Sequence, residues 1–422
     1  MSEDGTEPGE GPLRSTWRPL IPIYVTVTLF SAGEQALHVL VSPYLSERLG
    51  QGTASIGMVV AVFGVAALIA RMPVGALYRF DRALAMLVVG GAFSAGAFAL
   101  VPLVDHPLPF AALMAADGVG WALVTTTQLA LLVATRPAGL PTAGAMAWYS
   151  GTQGIGHTLG GVGAGVLADT LGYEPAFLAF AAVPAVATVV MVAALRRPAG
   201  AAVVQAPGGG DRGRELRGAW GTIGSMPAVV WAGVLVMVYI NFVNGFVNTF
   251  HPVLALSAGL SLTAIGTLAT CRSFASSAVR LGSGPMFSRS ARPANLTAPL
   301  AILSAVAVVA IPSVASSFVL QVPIFFAIGL SRGLLRITGS AAAFDGVGDD
   351  ERQHGLTAAL LNAGLDFGKV AGPIVGGFVG EAAGLANAFR IVPLTILAAY
   401  VVVEAAARRR ARATSQPAAT RP

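Results

Sequence analysis

Charged residues are scarce in this chain. Of its 422 residues, 26 are lysine or arginine and 20 are aspartate or glutamate, so only 11% are charged, whereas a soluble domain carries roughly a quarter. This content excludes a two-domain soluble enzyme, because too little charged surface is available to cover it. Cysteine and lysine are nearly absent, with Cys271 and Lys369 as the sole examples. One cysteine excludes an internal disulfide framework and a cysteine-based metal cluster.

Long apolar runs take the place of the missing charge, and 55% of the residues are hydrophobic. A membrane-spanning helix needs about 20 such residues, and a window of about 19 residues separates the runs clearly. The sequence therefore predicts an all-α membrane protein with twelve transmembrane helices. The predicted spans lie near residues 20–44, 54–77, 84–104, 108–133, 142–167, 174–195, 227–252, 262–285, 295–316, 318–343, 355–380 and 385–407.

Arginine is concentrated in alternate loops and in both tails, whereas the opposite loops offer only Arg48. The positive-inside rule then places both termini in the cytoplasm, and we expect a multi-pass protein of the inner (cytoplasmic) membrane. The pI near 10 thus reflects topology, and we expect no nucleic-acid partner. The one long connector begins with a Gly/Pro/Ala stretch, from Pro198 to Gly210, and separates six spans from six. The predicted organisation is a flexible tail (1–19), a six-helix bundle (20–195), a cytoplasmic linker (196–226), a second six-helix bundle (227–407) and a basic tail (408–422).

The two halves share a sequence pattern. Ile56, Gly57, Arg71 and Gly75 match Ile265, Gly266, Arg280 and Gly284 at an offset of 209. Gly156, Gly160, Gly165, Gly172 and Phe177 match Gly368, Gly372, Gly377, Gly384 and Phe389 at an offset of 212. Two parallel six-span repeats are how many transporters enclose a site at the membrane midplane.

With these features the chain resembles the major facilitator superfamily over essentially its whole length. The resemblance implies two pseudo-symmetric six-helix bundles and secondary transport. The family carries Gly-x-Leu-Ala-Asp-Arg-x-Gly-Arg between its second and third helices, and this chain has Gly75-Ala-Leu-Tyr-Arg79-Phe-Asp81-Arg82 there. Arg79 replaces the family's aspartate, and the segment from Gly284 to Arg292 lacks the acid as well, so the usual charge contact of that loop depends on Asp81 or is missing.

A second family pattern, Gly-x-x-x-Gly-Pro-x-x-Gly-Gly, belongs to the fifth helix of drug/proton antiporters. Here the full form lies in the eleventh span, with Gly368, Gly372 and Pro373, while the fifth span keeps the glycines without the proline. Small residues at such intervals let helices approach closely and proline bends them. The pattern favours export, although helix packing alone would also explain it.

Several ionisable residues lie at mid-depth of the spans, where each costs at least roughly 2.5 to 3.5 kcal/mol and needs a partner or a function. All fall on helices that line the central cavity or its sides in the family that this chain resembles. They are Glu34 (span 1), Asp117 (span 4), Arg272 (span 8), Arg332 and Arg336 (span 10), and Asp366 and Lys369 (span 11). Polar stripes accompany them at helical spacing: Glu34 with His38 on span 1, Tyr149 with Gln153 and His157 on span 5, and Asn241 with Asn244 and Asn248 on span 7.

Each of these groups also has a structural interpretation. Asp366 and Lys369, at i and i+3, could neutralise one another, and Arg332 or Arg336 could pair with Asp117 or Glu34. The histidines could be packing residues, and the asparagines could join helices. Glu34 is the strongest candidate for proton coupling, because no cation on its own helix is near enough to neutralise it. Proton-coupling candidates are Glu34, Asp117 and Asp366; substrate-binding candidates are Arg272, Arg332, Arg336, Asn241, Asn244, Gln153, His157 and Lys369; gating or packing candidates are Gly75, Arg79, Arg82, Gly284, Gly368, Gly372 and Pro373.

The sequence thus predicts a monomeric secondary transporter, with export of a small organic solute in exchange for protons as the first interpretation. Proton-coupled uptake of an organic anion, sugar or other metabolite is the alternative, and excess cavity arginine would suit an acidic substrate. A membrane-embedded enzyme or scaffold is a remote alternative, because the sequence shows no convincing nucleophile elbow and no pair of histidines at ligand spacing. No metal or cofactor is expected.

Overall fold

A computed structural model describes residues 20–135, 142–195, 226–287, 296–347 and 351–415. The predicted tail over 1–19 and most of the linker lie outside these ranges, as do Arg289 and Arg292 of the second motif. The described residues contain no strand and form twelve α-helices. These are α1 (Ile21–Glu47), α2 (Thr53–Leu77), α3 (Ala83–Leu100), α4 (Pro107–Ala134), α5 (Thr142–Leu171), α6 (Tyr173–Leu195), α7 (Ala228–Ser257), α8 (Leu262–Phe287), α9 (Thr297–Ala310), α10 (Phe318–Asp345), α11 (Glu351–Ala383) and α12 (Leu385–Ser415).

The helix bounds follow the predicted spans with a few differences. Helix α9 ends at Ala310 and continues as a 3-10 turn, because Pro312 cannot donate the hydrogen bond that would extend the α-helix. Its counterpart α3 likewise ends in a 3-10 turn, which contains Pro102. Helix α12 runs on to Ser415, past the predicted boundary at residue 407.

Eight of these twelve helices are long and apolar enough to cross a membrane. The other four are α1, α5, α8 and α11, which carry most of the glycine and mid-depth polar residues. The three most extensive helix pairs, α1 with α5, α5 with α8, and α7 with α11, each include at least one of these four. Their lower apolarity is consistent with helices that face protein on most sides and lipid on few.

Four short connections contain a glycine in the left-handed region of backbone space. These are Gly50 (φ 60°), Gly172 (φ 92°), Gly259 (φ 91°) and Gly384 (φ 83°), and other residues adopt this conformation only with strain. They join α1 to α2, α5 to α6, α7 to α8 and α11 to α12, which places all four at one end of the bundle. We call it the Gly50 end, and the opposite end, which carries Arg79 and Arg82, the Arg82 end.

The glycine matches found in the sequence correspond to equivalent contacts in the two halves. In the first half Gly156 and Gly160 of α5 press against the Thr28 and Ala32 carbonyls of α1. In the second half Gly368 and Gly372 of α11 press against the Val238 and Phe242 carbonyls of α7. Residues of α1 therefore correspond to residues of α7 at an offset of 210.

Equivalent glycines also form the contacts that join one half to the other. Gly165 of α5 packs on Leu262 and Thr263 of α8, and Gly377 of α11 packs on Thr53 and Ala54 of α2. A Cβ atom at either glycine would meet backbone of the other half, so these positions admit only the smallest residue. At the Gly50 end, the two six-helix halves are therefore in close contact.

Candidate functional site

Glu34 lies halfway along α1 and is the centre of a polar cluster. One carboxylate oxygen lies 2.5 Å from Nζ of Lys369 and 3.9 Å from Nε2 of His38, and the other lies 3.3 Å from Nε2 of His157. The Glu34 side chain is only 10% exposed. The sequence offered no lysine or arginine on α1 to neutralise Glu34; the structure shows that its cation comes from α11, which no local spacing reveals.

The repeat explains why two side chains converge on Glu34. His157 and Lys369 are equivalent residues, 212 positions apart, and each follows a glycine that brings its helix against a neighbour. His157 reaches Glu34 within the first half, whereas Lys369 reaches it from the second half. The Lys369 ammonium also lies 4.9 Å from the centroid of the Phe63 ring and 5.9 Å from that of Trp121, and contacts with aromatic rings at such distances stabilise a cation.

Asp366 and Arg71 form a second ion pair between the halves. The Arg71 guanidinium of α2 lies 3.3 Å from the Asp366 carboxylate of α11. The local pair that the i, i+3 spacing allowed, Asp366 with Lys369, is not formed, because the two side chains reach different helices of the first half. Arg71 was not among the site residues predicted from the sequence. Its match to Arg280 inside the repeat was the signal that it belongs to the bundle.

Asp117 of α4 lies close to this cluster. It is 5% exposed and lines a small cavity with Glu34, Ser94 and Trp121. A second small cavity is lined by His38 and Phe63 among others. No ion pair joins Asp117 to Arg332 or Arg336 within the described part of the chain, so the structural pairing that the sequence left open is not formed there.

Three arginines line the second half at mid-depth. Arg272 of α8 is 2% exposed and donates to Oδ1 of Asn248, while its Nε has no hydrogen-bond partner. Arg332 of α10 follows Gly329, which packs on the Arg272 backbone, and Arg336 lies one turn further along α10. In the described ranges none of Arg272, Arg332 and Arg336 forms an ion pair. The second half therefore carries an excess of positive charge.

The asparagines of α7 correspond to the titratable pair of α1. At the offset of 210, Asn244 is the equivalent of Glu34 and Asn248 is the equivalent of His38. Asn244 is buried, and its Oδ1 has no partner. Asn241 donates to the Leu365 carbonyl over 2.9 Å, and its own Oδ1 is also without a partner. One repeat thus offers a carboxylate where the other offers a neutral amide.

The remaining candidates occupy less central positions. Gln153 and Tyr149 lie on α5 one and two turns before His157, with Tyr149 buried and Gln153 partly exposed. Arg79 pairs with Asp81 over 3.2 Å in the turn before α3, and both side chains are about two-thirds exposed, so Asp81 is engaged within its own loop. Gly284 lies near the end of α8.

One buried pair was not anticipated from the sequence. The His251 ring on α7 lies 2.7 Å from Oε1 of Gln321 on α10, and Nε2 of Gln321 donates to the Val314 and Ala315 carbonyls. Because the amide group serves both carbonyls, His251 must donate to Oε1, which fixes its tautomer. This network fastens α7 to α10 near the Gly50 end and has no exposed edge for a solute.

The chain resembles known membrane transporters in sequence and in structure. The sequence profile of the Major Facilitator Superfamily matches residues 23–358. A bacterial homologue of the human lysosomal transporter Spinster, in an inward-facing and unoccupied conformation, has a TM-score of 0.66 and 16% identity, covering 94% of this chain and 96% of its own. A point mutant of the nucleoside transporter NupG has a TM-score of 0.73 and 16% identity, covering 93% and 99%. No curated protein sequence matches the chain.

Proposed function

The chain belongs to the major facilitator superfamily and has the fold of a multi-pass secondary transporter, and from this premise we propose that it couples the movement of a small organic solute to protons. In this proposal all twelve helices span the cytoplasmic membrane, both termini are cytoplasmic, and the Gly50 end faces outward. The first candidate activity is export of the solute in exchange for entering protons.

The ion pair between Glu34 and Lys369 is the observation that carries the proposal. It joins the first half to the second at the centre of the bundle, and alternating access requires the halves to rock about this region. Protonation of Glu34 removes the negative charge, so the attraction between the halves falls and Lys369 is released. A ligand shifts a conformational equilibrium when its affinity differs between the two states. In this proposal a proton binds Glu34 more tightly when the halves have separated than when Lys369 is paired with the carboxylate.

Neighbouring groups support the same role. His38 and His157 contact Glu34 from two helices, and Asp117 lies across a small shared cavity. Chains of carboxylates and imidazoles are the usual proton relays inside membranes. The pair between Arg71 and Asp366 joins the halves a short distance away, so protonation of Asp366 would act in the same direction as protonation of Glu34.

Two features bear on direction and point to different candidates. The glycine and proline pattern of α11, with Gly368, Gly372 and Pro373, supports export by exchange. The unpaired arginines of the second half favour a second candidate, proton-coupled uptake of an organic anion, because a proton and an anion that move together neutralise one another. The charge asymmetry in both tails and loops supports the cytoplasmic location of the termini.

Flux measurements in proteoliposomes test the proposal. Vesicles with a trapped pH dye receive an imposed pH gradient and a panel of solutes, namely carboxylates, sugar phosphates, nucleosides and cationic dyes. We expect at least one solute to change the proton flux, with opposite solute and proton movement for exchange and parallel movement for uptake. Proton flux that is independent of every solute, or solute flux that ignores the gradient, would overturn proton coupling.

A further inference from the structure

The mid-depth charges of the described residues do not balance. Glu34 is paired with Lys369 and Asp366 with Arg71, and both pairs lie between the halves. The remaining acid, Asp117, lies on α4 beside Ser94. Arg272, Arg332 and Arg336 remain on α8 and α10 of the second half without an ion pair in the part of the chain that the structure describes.

Close packing of α8 on α10 brings these arginines together. Gly329 presses on the Arg272 carbonyl and Gly333 on that of Ser276, so the two helices run nearly in contact at this level. The Arg272 guanidinium is held by Asn248 and by the Phe325 ring, whose centroid is 5.9 Å away. Arg272 is thus fixed in place and still has a free donor at Nε. A fixed guanidinium fork suits a carboxylate or phosphate.

The cost of burying such charge needs compensation. Arginine at the bilayer centre is unfavourable by several kcal/mol unless a counter-ion or water shares its field. Glu34 and Asp366 are already paired with cations, and Asp117 forms no ion pair with these arginines among the described residues. A bound anion would supply compensation of the right sign. Asn244 and Asn241 lie one and two turns along α7 from Asn248, each with an Oδ1 that lacks a donor. An amide oxygen accepts hydrogen bonds, so a hydroxyl or amino group of the ligand would satisfy it.

We propose that Arg272, Arg332 and Arg336 bind the acidic group of an organic anion, a carboxylate or a phosphate, whose body carries a hydrogen-bond donor for Asn244 or Asn241. The inference rests on the proposed transport function and names its substrate class. It also assigns a different role to each repeat. The first half holds the titrating Glu34 and His38, and the second half, where Asn244 and Asn248 take their places, holds the substrate.

Matched acid and neutral compounds test this assignment on the full-length protein in nanodiscs of phosphatidylcholine. The panel pairs each acid with its amide or alcohol: salicylate with salicylamide, glycerol 3-phosphate with glycerol, and citrate with its triamide, with 2-hydroxybenzylamine as a cation. Thermal stabilisation and equilibrium binding are measured. We expect binding to be confined to acids and weaker by about tenfold or more for each neutral partner. Preferred binding of neutral or cationic members, or of none, overturns the proposal.

Variants locate the binding. Arg332→Lys keeps the charge and loses the bidentate fork, so we expect weaker acid binding with normal expression and melting temperature. If Arg332 variants do not fold, Arg336→Lys provides the same test at the neighbouring arginine. Arg48→Lys at the exposed Gly50 end is the control. If Arg332 instead serves a structural pair, Arg332→Gln and Asp117→Asn should each damage folding and the double variant should restore it. Restoration of full transport by that double variant would overturn substrate contact.

Two further measurements distinguish a lipid headgroup from a free substrate anion, and anion binding from proton coupling. Acid binding that vanishes when phosphatidylglycerol replaces part of the lipid, with a bound phospholipid in mass spectra, would assign the arginines to a headgroup and overturn the substrate assignment. Proton-coupled flux of a cation in the vesicle assay would overturn the anion and leave proton coupling intact. Acid binding with no proton-coupled flux would overturn proton coupling and leave the anion assignment intact.

Discussion

Asp169 of α5 and Glu381 of α11 are equivalent residues, 212 positions apart, and make equivalent contacts between the halves. Asp169 accepts hydrogen bonds from the backbone N–H groups of Leu262 and Thr263, at 3.0 and 2.7 Å. Glu381 accepts from the Thr53 hydroxyl at 3.2 Å and the Ala54 N–H at 3.4 Å. Each carboxylate therefore caps the first turn of a helix from the other half, where free N–H groups and the helix dipole favour negative charge.

Removal of both caps is expected to weaken closure at the Gly50 end. Caps of this kind contribute about 1 kcal/mol each, so Asp169→Asn with Glu381→Gln should enlarge the population in which the halves are apart. Spin labels at Leu103 and Val319, exposed residues of the two halves at this end, report the distance in a Cys271→Ser background. Glu174→Gln is the control, since Glu174 pairs with Arg48 inside one half. An unchanged distance distribution in the double variant would contradict the role of the caps.

Glu34→Gln is expected to abolish gradient-driven accumulation while substrate exchange continues. The amide cannot exchange a proton, yet it still fills the site between Lys369 and His157. Proteoliposomes with and without a pH gradient separate the two activities, and Asp105→Asn in an exposed connection is the control. Full accumulation by Glu34→Gln would exclude Glu34 from coupling and move the role to Asp117 or Asp366.

Arg71 and Asp366 should show energetic coupling in a double-mutant cycle. Either Arg71→Gln or Asp366→Asn alone leaves a partly buried charge without its partner, whereas the double variant removes both. We expect each single variant to lower the melting temperature more than the double variant, with a coupling energy of about 0.5 to 3 kcal/mol. Additive effects would show that the 3.3 Å contact contributes nothing to the association of the halves.

The fold was largely predictable from local patterns. Apolar runs marked the helices, and the glycine matches at offsets of 209 and 212 gave a repeat that the contacts of Gly160 and Gly372 bear out. The membrane environment makes such patterns strong, because any lipid-exposed segment must satisfy its backbone internally. The same apolar runs predicted α1, α5, α8 and α11 as spans, although these four helices are less apolar than the other eight because they face protein on most sides.

The site was less predictable because its pairs join distant parts of the chain. Glu34 and Lys369 are separated by 335 positions, and local spacing suggested that Lys369 neutralises Asp366 instead. The choice depends on how α11 packs against α2 of the first half, where Gly57 and Gly64 lie against Pro373 and Val370. Sequence periodicity gives the face of a helix and its depth, but it does not give the neighbour that this face meets.

Accessibility to membrane-impermeant thiol reagents tests the topology. Cysteines introduced at Asp105 or Glu174, in the Cys271→Ser background, are expected to react from outside intact cells, because both lie at the Gly50 end. A cysteine at Gly209 in the predicted linker should react only after the membrane is opened. Residue 209 is outside the described ranges, so this comparison also tests the cytoplasmic placement of the linker. Labelling in the reverse pattern would invert the orientation that arginine distribution predicts.

Gly372→Ala and Gly75→Ala are expected to have opposite effects on stability, although both add one methyl group to a helical glycine. At Gly372 the new Cβ would meet the Phe242 carbonyl and the Phe246 N–H of α7, and backbone cannot rotate away as a side chain can. Helix α11 would have to move, at a cost of about 1 to 3 kcal/mol, and Lys369, three residues earlier, would shift relative to Glu34.

At Gly75 no atom lies within 4 Å of the new Cβ, so the intrinsic helix preference of alanine remains, worth up to about 1 kcal/mol. Melting temperatures in one detergent give the sign for each variant, and proton-coupled flux shows whether the Glu34 site moved with α11. If the glycines of α11 have no packing role, Gly372→Ala should have the melting temperature and the transport activity of the wild type. If they set the approach of α11 to α7, it alone of the two variants loses both stability and coupling.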